Sequence, residues 1–354
     1  MITNELANRR LPSALAENIS AANWPRRREE LIKVFAAREY GFLPTAPPFV
    51  KGQPVKHDAN ALAGKADYTE ISLSFPAGLG EFAFPVHIVI PKKAQNPPLV
   101  VYISFTKYPV GPYCPVEEII DNGCAVAVFC YEDVTADKDD GFSSGLAPLY
   151  ERKPGDKAGW GKISMWAFAA SRVLDYVLTL DGIDKERIFC AGHSRLGKTA
   201  IWCGVNDTRF AGAWSNESGC SGAAISRGKG GESIEAITAR FPYWFCENYR
   251  DYAGKEAVMP FDQNQLLSLM APRLLYVSSA ALDLWSDPKS EFLACAAASE
   301  SYQLLGFKGL VHKNRFPRPG ECLHGGRIGY HLRNGTHFLS RYDWQRFLRF
   351  IGNA

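Results

Sequence analysis

Continuous apolar runs of strand length recur along the chain and alternate with segments of helical pattern. Residues 98–104 (PLVVYIS) and 124–130 (CAVAVFC) have no polar face, which is typical of parallel strands that are covered on both sides. Further strands are predicted at 187–191, 212–216 and 273–279, with helices at 160–180, from 198 onward, at 291–305 and at 342–351. This alternation predicts one α/β domain over residues 1–354, with a mainly parallel sheet covered by helices on both faces.

The first 90 residues follow other patterns. Residues 1–45 predict a helical N-terminal extension, with Pro25 in the first turn of a helix, where its missing amide proton costs no hydrogen bond. Residues 66–75 and 81–90 alternate between apolar and polar positions and are separated by Pro76-Ala77-Gly78. They predict an antiparallel hairpin at one edge of the sheet.

Composition argues against several classes of protein. The net charge of +3 over 354 residues favours neither a nucleic acid nor a membrane surface as a partner, and no run of about 18 apolar residues occurs. The N-terminus has no apolar core preceded by positive charges, so we expect a cytoplasmic location, with a secreted one as the alternative if a signal has been removed. The nine cysteines show no C-x-x-C pair and no Cys/His ligand spacing, which predicts reduced structural thiols and no metal site.

The candidate chemistry centres on the segment GHSRLG at 192–197, which joins a predicted strand to a predicted helix. A serine at such a junction sits on a sharp turn, with its hydroxyl exposed above the sheet. The first amide groups of the helix have no partner within the helix and can hold an oxyanion. The second glycine comes one place later than in the usual G-x-S-x-G, but the context predicts Ser194 as the nucleophile of an α/β-hydrolase fold.

A serine nucleophile needs a base, which is usually a histidine and comes last in the chain order of α/β-hydrolases. His337 follows the turn signal Asn334-Gly335 and directly precedes the last predicted helix. It is therefore the candidate base. His331, in the same segment, is predicted to be a packed and hydrogen-bonded structural histidine.

Two carboxylates compete to orient His337. Glu217 lies in SNESGCSG, directly after the strand that follows the serine, and Asp283 lies after the next strand, at the usual place of the acid in this fold. Either can hold the imidazole in the correct tautomer and stabilise its charged form, so the spacing leaves both open. A third acid, Asp287, precedes Pro288 and is predicted to be a turn or helix-cap residue.

Two cations lie beside the candidate nucleophile. Arg195 directly follows Ser194, and Lys198 lies one helical turn along the same face. They suit an acidic or polyhydroxylated acyl group, and Arg195 can also help to hold the oxyanion; a pair of solvated helix charges is the alternative. Trp285, close to Asp283, offers a flat face for a sugar ring, although most tryptophans of such a chain are core residues.

Together these motifs resemble the glucuronoyl esterase family of carbohydrate esterases, from about residue 95 onward. The family's nucleophile motif G-C-S-R-x-G-K is matched by GHSRLGK at 192–198, which accounts for the late glycine. Its E-S-G-x-x-G segment is matched at 217–222, and the aspartate two residues before a tryptophan of bacterial relatives is matched at 283–285. The family histidine precedes a D-W pair, as His337 precedes Asp343-Trp344.

The resemblance implies a serine esterase that cleaves esters of (4-O-methyl-)glucuronic acid through an acyl-enzyme, with a small-molecule or oligosaccharide substrate and no metal or organic cofactor. The roles that it implies are nucleophile for Ser194, base for His337, alternative or joint acids for Glu217 and Asp283, oxyanion support for Arg195, and contact with the uronate for Lys198 and Trp285. An acetyl xylan or oligosaccharide deacetylase and a non-catalytic carbohydrate-binding protein of the same fold are the alternatives.

The sequence departs from the family pattern at two places. His193 replaces the usual cysteine, so the disulfide that some members make from that position is absent. The glutamine and glutamate that contact the sugar in fungal members are expected within 231–240, where Glu232 is the candidate substitute.

Overall fold

The structure is a computed structural model that describes residues 1–352. Its strands are β1 (Lys51–Asn60), β2 (Ala66–Ala77), β3 (Gly80–Pro91), β4 (Leu99–Ser104), β5 (Ala125–Cys130), β6 (Ile188–His193), β7 (Gly212–Asn216), β8 (Leu274–Ala280), β9 (Cys322–Leu323) and β10 (Ile328–Arg333). They form one sheet in the order β1-β2-β3-β5-β4-β6-β7-β8-β10-β9. The six strands from β5 to β10 in this order run parallel, and the others pair antiparallel. The predicted α/β fold with a mainly parallel sheet is confirmed.

Helices cover both faces of the sheet. They are α1 (Ile2–Arg9), α2 (Trp24–Phe35), α3 (Ala61–Gly64), α4 (Val116–Asp121), α5 (Tyr131–Val134), α6 (Lys162–Val177), α7 (Arg195–Asn206), α8 (Ile234–Arg240), α9 (Gln263–Ser268), α10 (Pro288–Leu304) and α11 (Arg341–Gly352). A π-helical turn extends α2 over Ala36–Tyr40, and short 3₁₀ turns occupy Ala21–Asn23, Ala147–Leu149, Pro242–Trp244, Glu247–Tyr252 and Glu256–Val258. Within residues 1–352, none of these helices has both the length and the apolar character that a bilayer crossing requires.

The apolar runs of β4 and β5 are buried along their whole length. Alternate side chains enter two different cores, because successive residues of a strand point to opposite faces. Leu99 and Val101 belong to the large core that includes α6, α7 and α10. Val100 and Tyr102 belong to the smaller core with α4 and α11. The continuous apolar pattern therefore reflects a sheet that is covered on both sides.

The N-terminal part contains one element that the sequence pattern does not reveal. Residues 1–45 are largely helical as predicted, and Pro25 is the second residue of α2. The predicted hairpin forms as β2 and β3, but it is not at the edge of the sheet, since β1 pairs with β2 outside it. Almost all of β1 is exposed, so its residues carry no apolar alternation.

The parallel strands bring the predicted functional segments to one place. The loops that leave the carboxyl ends of parallel strands meet at the same edge of the sheet. Here these are the loops after β4, β5, β6, β7, β8 and β10. They carry residues 105–115 and 135–159, the turn at 194, and the segments that begin at 217, 281 and 334.

A glycine at the end of β6 controls how closely α7 approaches the sheet. A Cβ atom at Gly192 would lie 2.1 Å from the Leu196 carbonyl oxygen, which belongs to the first turn of α7 and cannot rotate away. We expect Gly192→Ala to lower the free energy of unfolding by about 1–3 kcal/mol, as overpacking in a core does. Urea unfolding followed by circular dichroism measures the change.

Gly80→Ala is the matched control for this substitution. At Gly80 the nearest atom to an added Cβ is the flexible Leu149 Cδ2 at 3.6 Å, an ordinary contact. We expect its free energy of unfolding to stay within about 0.5 kcal/mol of the wild type. Equal effects of the two substitutions would contradict the close packing at Gly192.

Candidate active site

Ser194 forms the turn between β6 and α7, with φ 57° and ψ −124°. A residue other than glycine keeps a positive φ only where surrounding contacts hold it there. The Ser194 amide donates to the Asn216 carbonyl at 2.8 Å, and the Ser194 carbonyl accepts from the Gly197 amide at 2.9 Å. These bonds fix the serine, which is partly exposed, at the carboxyl edge of the sheet.

The late glycine of the motif has a packing reason. A Cβ atom at Gly197 would lie 3.0 Å from Ser215 Oγ and 3.2 Å from the Asn216 carbonyl oxygen, both on β7. Position 197 therefore faces the neighbouring strand, and an added Cβ would require these atoms to shift by a few tenths of an ångström. Leu196, at the usual glycine position, is fully buried in the core instead.

His337 lies beside this turn, in the loop between β10 and α11. Its ring centroid is 4.6 Å from that of His193, the residue directly before Ser194. Its Nδ1 lies 2.7 Å from Asp283 Oδ2 and 3.4 Å from Glu217 Oε2. Side chains that are far apart in the sequence thus meet at one edge of the sheet.

The two carboxylates differ in what else they contact. Glu217 is fully buried, and its Oε1 accepts from Arg333 at 2.5 Å while its Oε2 accepts from the Phe338 amide at 2.9 Å. Asp283 accepts from the Ser286 amide at 3.3 Å through Oδ1, which leaves Oδ2 for His337. The geometry therefore gives Asp283 the direct hydrogen bond to the imidazole, and Glu217 the weaker contact.

The electrostatic effects agree with this division. Burial alone would lower the pKa of His337, but the two carboxylates outweigh it and raise the pKa to about 9. Burial raises the pKa of Glu217 to about 7 despite its cationic neighbours. Burial acts in the same direction on Asp283, yet the hydrogen bonds from His337 and Ser286 keep its pKa below the usual value. Asp283 is thus the carboxylate that retains its charge most firmly.

His193 is buried between the serine turn and a wall of aromatic rings. Its Nδ1 lies 2.6 Å from Asn216 Oδ1, and its ring stacks on Tyr113 with centroids 5.4 Å apart. Burial and the nearby charge of His337 lower the pKa of His193 to about 3. This imidazole therefore remains neutral where it packs against His337.

His331 and Asp287 have the structural roles that the sequence predicts. His331 is buried in β10, with Nε2 2.8 Å from Asp343 Oδ1 and Nδ1 2.8 Å from the Tyr276 hydroxyl. Asp287 is the N-cap of α10 and accepts from the Ser290 amide at 3.1 Å.

The two cations after Ser194 are not solvated helix charges. Lys198 is buried, and its ammonium group donates to the Ser218 carbonyl. Burial lowers the pKa of Lys198, and the negative charge of the buried Glu232 counteracts part of this effect. Arg195 pairs with Asp137 and lies over the ring of Trp244, 4.7 Å from its centroid.

Trp285 is not a core residue but stands 54% exposed. Its carbonyl accepts from the Glu232 amide at 3.0 Å, so the segment with Glu232 packs against the loop that carries Asp283. Glu232 thereby connects two of the predicted contacts: its charge acts on Lys198, and its backbone is bonded to Trp285.

Comparison with known proteins identifies the family. The family model described as "Glucuronyl esterase, fungi" matches residues 76–306, more than half of the chain. The chain belongs to the glucuronoyl esterase family. A glucuronoyl esterase structure from Solibacter usitatus is 34% identical and superposes with a TM-score of 0.88, covering 97% of each chain. The α/β-hydrolase fold predicted from the sequence is thereby confirmed.

Curated proteins also match this member of the glucuronoyl esterase family, among them the following two. Carbohydrate esterase MZ0003, from an unknown prokaryotic organism, is 42% identical over 66% of the chain. The match spans about half of that relative, 54% of its length. The 4-O-methyl-glucuronoyl methylesterase 1 of Wolfiporia cocos is 27% identical over 81% of the chain and 69% of its own length.

Three side chains of this site have atoms that could bind a metal ion: Glu217, Asp283 and His337. One such atom from each lies within 4.8 Å of the others. The carboxylates, however, already accept hydrogen bonds from Arg333, the Phe338 amide and the Ser286 amide. This arrangement fits an imidazole held by two acids. The expectation of a site without a metal stays a prediction.

Sequence reasoning missed Arg333, Asp343 and Asp137. Arg333 links the Glu217 carboxylate to that of Asp343, with Nε 3.0 Å from Asp343 Oδ2. Arg333 is the last residue of β10, and Asp343 belongs to the D-W pair that follows the family histidine. Their positions in the sequence could therefore have indicated that both lie near the site. Asp137 lies in the long polar loop after β5, where nothing in the sequence distinguishes it from the neighbouring acids.

The hydrogen bond between Asp283 and His337 can be tested by titration. Asp283→Asn removes a charge that raises the pKa of His337, so we expect that pKa to fall from about 9 towards its ordinary value. Nuclear magnetic resonance of labelled histidine measures this pKa directly. A Glu300→Gln variant, which removes a carboxylate that bonds Ser13 instead, is the control; an unchanged His337 pKa in Asp283→Asn would contradict the assignment.

Proposed function

We propose that this chain is a serine esterase that hydrolyses esters of (4-O-methyl-)glucuronic acid through an acyl-enzyme. One contact carries the proposal: the His337 imidazole lies 2.7 Å from the Asp283 carboxylate, beside the turn that presents Ser194. The substrate class is supported by relatives that are named 4-O-methyl-glucuronoyl methylesterases.

In the first half of the reaction, the Ser194 hydroxyl attacks the ester carbonyl and His337 Nε2 takes its proton. The Nδ1–H group of the same ring keeps its proton and donates a hydrogen bond to Asp283. This bond fixes the tautomer and stabilises the imidazolium that forms. The carbonyl oxygen becomes negative and is met by the first amides of α7 and by Arg195. The bond to the alcohol then breaks, and the alcohol leaves with the proton from His337.

In the second half, water attacks the acyl-enzyme and His337 takes a proton from it. Collapse of this intermediate releases the uronic acid and restores the Ser194 hydroxyl with the proton that His337 carried. Glu217 acts jointly with Asp283. It adds negative charge 3.4 Å from the ring and holds the chain beside His337 through the Phe338 amide.

Recognition of the acyl group follows from the groups beside Ser194. The Lys198 ammonium can donate to ring hydroxyls, Glu232 can accept from them, and the exposed face of Trp285 suits stacking with a sugar ring. A small-molecule or oligosaccharide ester therefore fits this side of the site.

The nucleophile is tested by Ser194→Ala. We expect kcat on a methyl glucuronate ester to fall at least about 1000-fold, because the triad acts as a unit. Hydrolysis of p-nitrophenyl acetate and labelling by a fluorophosphonate probe are measured alongside, and the probe should label the wild type but not the variant. An active Ser194→Ala variant, or a wild type that is not labelled, would favour the non-catalytic binding protein.

The substrate class is tested by Lys198→Met, which keeps the length of the side chain but removes the charged donor. We expect kcat/KM for a glucuronate ester to fall about 10- to 100-fold, the effect of losing a hydrogen bond from a charged group, with a much smaller loss for an acetate ester. Lys185→Met, at an exposed position before β6, is the control. Equal losses on both esters would favour the deacetylase alternative.

A further inference from the structure

The Asp137 carboxylate is the centre of a polar cluster beside the serine turn. Its side chain is only 4% exposed and pairs with the Arg195 guanidinium through Oδ2. The same oxygen accepts from the Tyr131 hydroxyl at 3.0 Å, and Oδ1 accepts from Trp244 Nε1 at 2.7 Å. Both carboxylate oxygens are therefore held in fixed directions by side chains from three other parts of the chain.

The main chain around Asp137 is fixed as well. The Lys162 ammonium, fully buried at the start of α6, donates to the carbonyls of Ala136 and Lys138 at 2.6 and 2.7 Å. Its third hydrogen bond goes to Asp140 Oδ1 at 2.7 Å. The Asp137 carbonyl itself accepts from the Tyr243 hydroxyl at 3.1 Å. The buried Lys162 ammonium thus fixes the main chain on both sides of Asp137.

This cluster determines where Arg195 lies. Besides the ion pair, the guanidinium faces the rings of Trp244, Phe241 and Phe105, with centroids 4.7, 5.5 and 5.7 Å away. Arginine has a long side chain that loses much rotamer freedom when it is fixed. Here the ion pair and the rings hold it in advance, while 28% of the side chain stays exposed and can be reached by a ligand.

We propose that Asp137 is a positioning residue that holds the Arg195 guanidinium beside the carbonyl oxygen of the bound ester. This inference rests on the proposed function, in which that oxygen becomes negative. A donor stabilises a developing charge most when it is already in place and needs no reorganisation during the reaction. Asp137 touches no reacting atom and acts through Arg195 alone.

The experiment is a double-mutant comparison of Asp137→Asn and Arg195→Gln on a methyl glucuronate ester. Asparagine keeps an acceptor for Trp244 but loses the negative charge that pairs with Arg195. We expect kcat to fall about 10- to 100-fold with KM within about threefold, since a misplaced catalytic group costs mainly turnover. In the Arg195→Gln background, Asp137→Asn should lower kcat by less than about twofold, because its target is already gone.

Controls separate positioning from stability. Asp139→Asn removes the same charge from an exposed position in the same loop and should leave kcat and the melting temperature unchanged. Trp244→Phe removes one donor to Asp137 but keeps an aromatic ring, so it gives a milder second variant should Asp137→Asn fold poorly. It should lower kcat less than Asp137→Asn does, with the same loss of effect in the Arg195→Gln background.

The outcomes distinguish this inference from the proposed function. A wild type that does not hydrolyse the ester overturns the function and, with it, the role of Asp137. A wild type that is active, with an Asp137→Asn loss that is equal in the presence and absence of Arg195, overturns the positioning role alone. A kcat loss that disappears in the Arg195→Gln background supports it.

Discussion

The sharp turn at Ser194 is the constraint on which the rest of the site depends. Its positive φ is maintained because the serine amide bonds to β7 and because α7 packs closely on β6 and β7, with no room for a Cβ at Gly192 and little at Gly197. The strands β6, β7, β8 and β10 are parallel neighbours, so their carboxyl ends lie at the same edge of the sheet. The loops that follow β7, β8 and β10 therefore place Glu217, Asp283 and His337 close together beside the serine turn.

Around this turn, almost every charged group is paired inside the protein. Arg333 joins Glu217 to Asp343, Asp137 holds Arg195, and the Lys162 ammonium has all three of its donors bonded. A buried charge without such partners would cost several kcal/mol. The paired groups are instead held in fixed orientations by one another. Groups that are oriented in advance stabilise a charge that develops during a reaction better than groups that must first reorient.

The parallel core and the serine turn were predictable because their signals are local. Strands such as β4 and β5 are apolar throughout since both faces are covered, and the glycines around Ser194 stand in the sequence itself. β1 was missed because an exposed strand carries no apolar alternation. The choice between Glu217 and Asp283, and the role of Asp137, depend on distances between segments far apart in the chain, which spacing cannot supply.

The pair of carboxylates at His337 makes the charge at this ring redundant. Glu217 and Asp283 come from different loops and reach the same ring nitrogen. Replacement of either one would therefore leave an anion within 3.4 Å of Nδ1. Ser194 and His337 have no such second copy beside them.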